Sequence, residues 1–195
     1  MNKLCNIFVA SALCLSAGVA FGDNDMKPHG ALKGHPNLIA AEKSLAAAVK
    51  SITKSQEANE CVFGVEGGHG QKAKEAIEAA AKQVWEAAEW VNTHEKDCAG
   101  VKPAKGGGKK GPKEPTMKGH PALKGHPNLI AAEKDLISAY ESVEKSQEAN
   151  ECAFGVEGGH GQKAKEAIDV AFKQLTESAE WVNGHENECK AGKKK

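Results

Sequence analysis

The chain contains the same stretch of sequence twice. Residues 34–98 and 125–189 align with a constant offset of 91 residues, and 48 of their 65 positions are identical. A repeat of this length is one supersecondary unit that cannot bury its apolar face alone, so a second copy can supply the missing cover. The duplication therefore predicts a fold built from two equivalent units.

Each repeat has the pattern of two amphipathic helices joined by a glycine-rich turn. Pro36 suits the first helical position, where its missing N–H is no loss, and apolar residues then recur three and four apart until about Asn59. A second helix begins near His69, after a turn with several glycines. The apolar stripes are Leu38, Ala41, Leu45, Ala48 and Ile52 in the first helix, and Ala73, Ile77, Ala80, Val84, Ala87 and Val91 in the second, with equivalents 91 residues later.

One two-helix hairpin buries little surface and is marginal alone, but two hairpins can pair their stripes in a four-helix bundle. Residues 99–124 form a basic linker of Gly, Lys and Pro that permits either relative orientation of the hairpins. We therefore predict an all-α protein of two duplicated antiparallel helical hairpins, packed as a four-helix bundle rather than as two independent domains.

The first 22 residues have the features of a secretory signal peptide. Lys3 precedes an apolar run over residues 7–20, and Ala20-Phe21-Gly22 is a small-x-small cleavage site. A membrane anchor is the alternative, but the run is too short and Asp23 follows it closely. The remaining segments are an N-terminal lead at 23–33 and a basic tail at 190–195. We expect a periplasmic or secreted protein with no transmembrane anchor after cleavage.

Charge is balanced over the whole chain but unevenly distributed. Residues 34–98 carry 7 Lys against 10 Asp and Glu, residues 125–189 carry 5 against 13, and the linker carries 7 Lys against one Glu. The absence of arginine and the acidic helices argue against a nucleic-acid partner. The basic segments suit a solvated spacer or contact with an envelope surface. The sequence identifies neither a protein partner nor the oligomeric state.

Four cysteines remain after cleavage, an even number in an oxidising compartment, which predicts disulfides. About 25 helical residues, or about 37 Å, separate Cys61 at the turn from Cys98 at the far end of its hairpin. A disulfide needs Cα atoms within about 7 Å, so the hairpin prediction excludes a pair within one repeat. Turns at the same end of the bundle give Cys61–Cys152 and Cys98–Cys189, whereas head-to-tail hairpins give Cys61–Cys189 and Cys98–Cys152. Pairing between chains is a third alternative.

Histidines and cysteines also extend the apolar stripes at the open end of each hairpin. Beyond Val91 the stripe reaches His94 and Cys98, and before Leu38 it reaches His35, so we expect these three ligands to converge. Imidazole and thiolate bind zinc, copper or nickel, which predicts copper or zinc as the cofactor. The predicted metal ligands are His35, His94, Cys98, His126, His185 and Cys189, with Cys61, His69, Cys152 and His160 at the turns as a second choice.

No arrangement in the sequence indicates catalysis, and we predict that the protein is not an enzyme. The motifs Cys-x-x-Cys, His-Glu-x-x-His and Cys-x-x-Cys-His are absent. Gly64 and the Gly67-Gly68 pair lie between helices and are read as turn and cap residues rather than as a phosphate-binding loop.

Two short segments resemble known proteins. Gly34-His-Pro-Asn-Leu-Ile and Gly67-Gly-His-Gly-Gln-Lys-Ala-Lys-Glu-Ala-Ile are similar to segments of small exported helical-hairpin proteins of Gram-negative bacteria. They are distantly similar to the periplasmic small metal-binding proteins of nitrifiers, which are helical and bind copper and other divalent metals. This chain has cysteines in place of dense histidine heptads, so the resemblance implies a few defined sites rather than metal storage.

Two functional hypotheses follow. The first is an exported non-enzymatic binding protein that holds a transition metal through His and Cys at the ends of the bundle. The alternative is a structural or protein-interaction module of the cell envelope without a metal. In that module the cysteines form disulfides. The histidines cap helices or, as cations near helix C-termini, interact favourably with the helix dipole.

Overall fold

The structure is a computed structural model that describes residues 29–58, 68–94, 119–149 and 159–185. These ranges contain four α-helices: α1 (Pro36–Ala58), α2 (His69–Thr93), α3 (Pro127–Ala149) and α4 (His160–Gly184). A short 3-10 turn precedes each first helix, at Gly30–Leu32 and at Pro121–Leu123. None of the described helices combines the length and the apolar character needed to cross a membrane.

The four apolar stripes form one common core. Every predicted stripe position in both repeats is between 0% and 6% exposed. Many of these residues are alanines, and their small side chains allow facing helices to approach closely. The prediction of an all-α four-helix bundle is confirmed.

Most of the helix packing occurs between the repeats. Helix α1 lies mainly against α3, and α2 lies mainly against α4, while the contacts within each hairpin are less extensive. The Ser44 hydroxyl is 3.1 Å from that of Ser138, and the Ser51 hydroxyl donates to Asp135 over 3.5 Å. Because the contact moves forward along α1 as it moves backward along α3, these two helices are antiparallel.

The second helices show how the hairpins are oriented. His69, the first residue of α2, contacts Gln174 in α4, and His160, the first residue of α4, contacts Gln83 in α2. The two hairpins therefore lie head-to-tail, which is one of the two orientations that the linker permits. In this register α2 continues for ten residues beyond the start of α4, a length of about 15 Å.

The folded part of each repeat begins before the predicted repeat boundary at residue 34 or 125. The two 3-10 turns fall in the segments predicted as lead (23–33) and linker (99–124), yet Leu32 and Leu123 are 0% and 1% exposed. Gly34 and Gly125 both have φ near 94°, in the left-handed region that glycine tolerates best. These glycines turn the chain from the 3-10 turn into the first helix.

A buried glutamate holds the lead segment of the first repeat in place. Glu42 in α1 is only 2% exposed, and a carboxylate at such a position needs hydrogen-bond donors. Its Oε1 accepts from Trp85 Nε1 of α2 at 2.7 Å and from the His29 backbone N–H at 3.3 Å. Glu42 thus joins the lead segment, α1 and α2.

The second repeat satisfies the equivalent glutamate with different donors. Glu133 Oε1 accepts from the backbone N–H groups of Gly119 at 3.0 Å and His120 at 3.4 Å. The first repeat has a proline at the position of Gly119, and proline has no N–H to donate. Thr176 stands where the first repeat has tryptophan. An indole donor in one repeat therefore takes the place of a backbone donor in the other.

Candidate functional site

His35 immediately precedes α1 and contacts the last turns of α2. Its Nε2 lies 3.0 Å from Asn92 Oδ1, while Asn92 Nδ2 donates to the Ala31 carbonyl at 2.8 Å. The second contact orients the amide so that its oxygen faces the imidazole. Nε2 must therefore carry the proton, and Nδ1 is the unprotonated nitrogen of a neutral ring. His126 repeats this arrangement with Asn183 at 2.9 Å.

His94 caps the end of α2 and folds back along it. Its Nδ1 lies 3.0 Å from the Trp90 carbonyl, and its ring stacks on the Trp90 indole with centroids 4.3 Å apart. A carbonyl only accepts, so Nδ1 carries the proton and Nε2 is unprotonated in the neutral ring. His185 does the same on Trp181, with a 2.9 Å hydrogen bond and a 4.0 Å stack.

The two histidines at the open end bind different sides of α2. Trp90 and Asn92 project about 200° apart at 3.6 residues per turn, so His94 and His35 contact different faces of α2. Cys98 and Cys189 lie outside the described residues, and their part in a metal site remains a prediction. Within the described ranges no three His, Cys, Asp or Glu side chains gather closely enough to hold a metal ion.

The histidines at the turn ends meet residues of the opposite repeat. His69 Nδ1 lies 3.0 Å from Gln174 Oε1 and 3.3 Å from Glu177 Oε2. Gln174 Nε2 donates to the same Glu177 oxygen at 2.8 Å. The sequence grouped Cys61 and Cys152 with these histidines as second-choice ligands, and both cysteines lie outside the described residues.

The second repeat forms the same cluster with the roles of the repeats exchanged. His160 Nδ1 lies 3.0 Å from Gln83 Oε1 and 3.3 Å from Glu86 Oε2, and Gln83 Nε2 donates to Glu86 at 2.8 Å. In both clusters the imidazole and the carboxylate are between 31% and 34% exposed. These groups are held in place but remain accessible to solvent.

The remaining two histidines cap the 3-10 turns. His29 Nδ1 accepts from the Ala31 N–H, and His120 Nδ1 accepts from the Ala122 N–H, each at 3.4 Å. His29 also stacks on the Trp85 indole, with ring centroids 5.1 Å apart. All eight histidines of the chain therefore have a structural contact.

Two aspartates of the second repeat have shifted pKa values, and both lie outside the histidine clusters. Burial raises the pKa of the Asp169 carboxyl, while the nearby Lys165 lowers it and Glu166 raises it further. Burial also raises the pKa of Asp135, and the hydrogen bond from Ser51 lowers it. Asp169 Oδ1 has no hydrogen-bond partner among the described residues.

The sequence pointed to His69 and His160 but missed their partners. Both repeats have a glutamine and a glutamate three residues apart, which places them on one helix face. That spacing is common on exposed helix faces. Only the register between α2 and α4 brings the pair to a histidine of the other repeat, so the motif alone would not have identified the clusters.

Comparison with known proteins gives no further guide, because no family model, no curated protein and no solved structure matches the chain. The fold itself defines the class, an all-α four-helix bundle formed by two duplicated hairpins.

Proposed function

We propose that the protein is an exported, non-enzymatic protein that binds a transition-metal ion, copper or zinc, at the open ends of its hairpins. The observation that carries this proposal is the orientation of His94 and His185. Each directs its Nδ1 at a backbone carbonyl, 3.0 Å and 2.9 Å away, which leaves Nε2 as the nitrogen available to a metal ion. Metal-ligating histidines usually hold their second nitrogen in this way, because the hydrogen bond fixes both the tautomer and the ring orientation.

The second ligand in each proposed site is a cysteine. Cys98 follows His94, and Cys189 follows His185, by four residues. Imidazole with thiolate suits zinc and copper(I). His35 and His126 stay outside the ligand set. Each contacts an asparagine of α2 or α4 that lies on a different face from the tryptophan contacted by His94 or His185.

Titration of the reduced protein with Co²⁺, a coloured substitute for zinc, tests this ligand set. We expect the double variant His94→Ala/His185→Ala to lose both the thiolate-to-metal absorption and at least about tenfold in affinity. The matched control is His35→Ala/His126→Ala, which removes two histidines from the same ends and should bind Co²⁺ as wild type does. Equal binding by wild type and His94→Ala/His185→Ala would show the ligand set to be wrong.

The alternative function, a structural or protein-interaction module of the cell envelope, is favoured by one specific observation: each of the eight histidines has a structural contact. A free-thiol count and elemental analysis of protein purified natively separate the two functions. Bound metal with reduced cysteines supports the metal-binding protein. Four oxidised cysteines and no metal support the module.

A further inference from the structure

The two clusters between α2 and α4 combine histidine with oxygen donors from the other repeat. In one, His69 of the first repeat faces Gln174 and Glu177 of the second; in the other, His160 faces Gln83 and Glu86. We infer that each cluster is a binding site for a divalent transition-metal ion of the zinc type, separate from the sites at the open ends. The ligands are imidazole Nδ1, a glutamate oxygen and the glutamine carbonyl oxygen.

The spacing of the donor atoms supports this inference. Bonds of about 2.05 Å to nitrogen and oxygen place neighbouring ligands about 2.9 Å apart in an octahedral site and about 3.3 Å apart in a tetrahedral one. His69 Nδ1 lies 3.0 Å and 3.3 Å from its two oxygen partners, and His160 Nδ1 repeats both distances. One ion can thus contact the donors with small side-chain movements, and water can complete its coordination because the groups are one-third exposed.

Metal binding requires the imidazole proton to move from one ring nitrogen to the other. Without metal, Nδ1–H donates to the glutamine and glutamate oxygens, since the glutamine Nε2 is already directed at the carboxylate. When the ion binds, the Nδ1 lone pair coordinates it and the proton of the neutral ring moves through solvent to Nε2, so the ring keeps one proton. The glutamine Nε2–H can remain on the carboxylate, so it holds the glutamate in place in both states.

Each site exists only when the repeats are packed together. The histidine comes from one repeat and both oxygen donors come from the other, so the ion joins α2 to α4. An ion that binds the folded chain more tightly than the unfolded chain stabilises the fold. We therefore expect two ions per chain at these sites and a metal-dependent rise in the melting temperature.

A nearby lysine weakens each site. The second oxygen of Glu86 lies 3.8 Å from Lys82 Nζ, and that of Glu177 lies 3.8 Å from Lys173 Nζ. A lysine so close repels the ion and competes for the carboxylate. Replacing this lysine should strengthen metal binding. If the cluster only forms hydrogen bonds and binds no metal, the replacement should not raise the affinity for the ion.

The test is a Zn²⁺ titration of the full chain in a His94→Ala/His185→Ala background, read by calorimetry and by melting temperature against an EDTA reference. We expect Glu86→Gln/Glu177→Gln to lower the affinity at least about tenfold and to abolish the metal-dependent rise in melting temperature. Glutamine keeps the size and an acceptor oxygen, so the EDTA melting temperature checks that this variant folds. The matched control is Glu75→Gln/Glu166→Gln, the same charge change on exposed positions of the same helices.

A third variant should increase the metal affinity rather than lower it. We expect Lys82→Ala/Lys173→Ala to raise the affinity about two- to fivefold. Two results would overturn the inference: no rise in melting temperature with Zn²⁺ in this background, or an equal rise in Glu86→Gln/Glu177→Gln. Neither result bears on His94 and Cys98, which are tested by the Co²⁺ titration, so the two proposals can fail separately.

Discussion

Ser178 is a polar residue in the apolar stripe of α4, and its replacement by alanine should stabilise the protein. The side chain is 0% exposed, and its hydroxyl has no hydrogen-bond partner among the described residues. The first repeat has alanine at the equivalent position, where Ala87 is 1% exposed. The duplication therefore supplies a natural reference for the substitution.

The size of the effect follows from three terms. A buried hydroxyl without a partner costs about 1–3 kcal/mol, because it loses its hydrogen bonds to water on folding. Alanine also has a helix propensity about 0.5 kcal/mol more favourable than that of serine. A void the size of one oxygen atom costs about 0.5 kcal/mol, which offsets the propensity gain. We expect Ser178→Ala to raise the free energy of unfolding by about 1–3 kcal/mol.

Urea unfolding followed by circular dichroism measures this change. The midpoint should rise while the slope with urea stays constant, and the melting temperature should rise by about 2–4 °C per kcal/mol. The reverse change in the first repeat, Ala87→Ser, should destabilise by a similar amount. If Ser178→Ala is less stable than wild type, the hydroxyl makes a stabilising hydrogen bond and the reasoning is refuted.

Two further predictions concern disulfides and pH. Because the hairpins lie head-to-tail, non-reducing peptide mapping should find Cys61 joined to Cys189 and Cys98 joined to Cys152. A disulfide within one repeat would contradict the prediction that the two cysteines of a hairpin lie at its opposite ends. Burial raises the pKa of Asp169 in the folded protein above its value in the unfolded chain. Ionisation of this carboxyl therefore destabilises the fold at neutral pH, and the effect disappears below about pH 4. Asp169→Asn should therefore raise the free energy of unfolding in urea by less than about 1 kcal/mol at pH 7 and leave it unchanged at pH 3. The control is Glu180→Gln at an exposed position, and a stabilisation by Asp169→Asn that persists at pH 3 would contradict the prediction.

Much of the fold was predictable from local pattern. The stripes, the proline at the start of each first helix and the start of α2 at His69 depend on periodicity and on residues close in sequence. The structured lead segments were not predicted, because a 3-10 turn of three residues has no periodicity. They are held by contacts with residues distant in sequence, such as the hydrogen bond from Asn92 Nδ2 to the Ala31 carbonyl.

The candidate sites were predictable only in part. The sequence predicted six histidines as metal ligands, since each lies at the end of an apolar stripe. It placed His35 and His94 together because both continue a core-facing stripe. The structure directs one ring to Asn92 and the other to Trp90, and such side-chain choices depend on which acceptor lies within reach at a helix end.

The sequence by itself determined that the protein contains two equal helical hairpins, and it favoured one bundle because each hairpin has an apolar face that the other can cover. Only the tertiary structure decided that they lie head-to-tail, because the length and composition of the linker permit either orientation and the packing of α1 on α3 and α2 on α4 selects one. That orientation also brings His69 to Glu177 and His160 to Glu86. Contacts between repeats depend on helix register, which side-chain packing determines and the spacing of residues within one repeat does not.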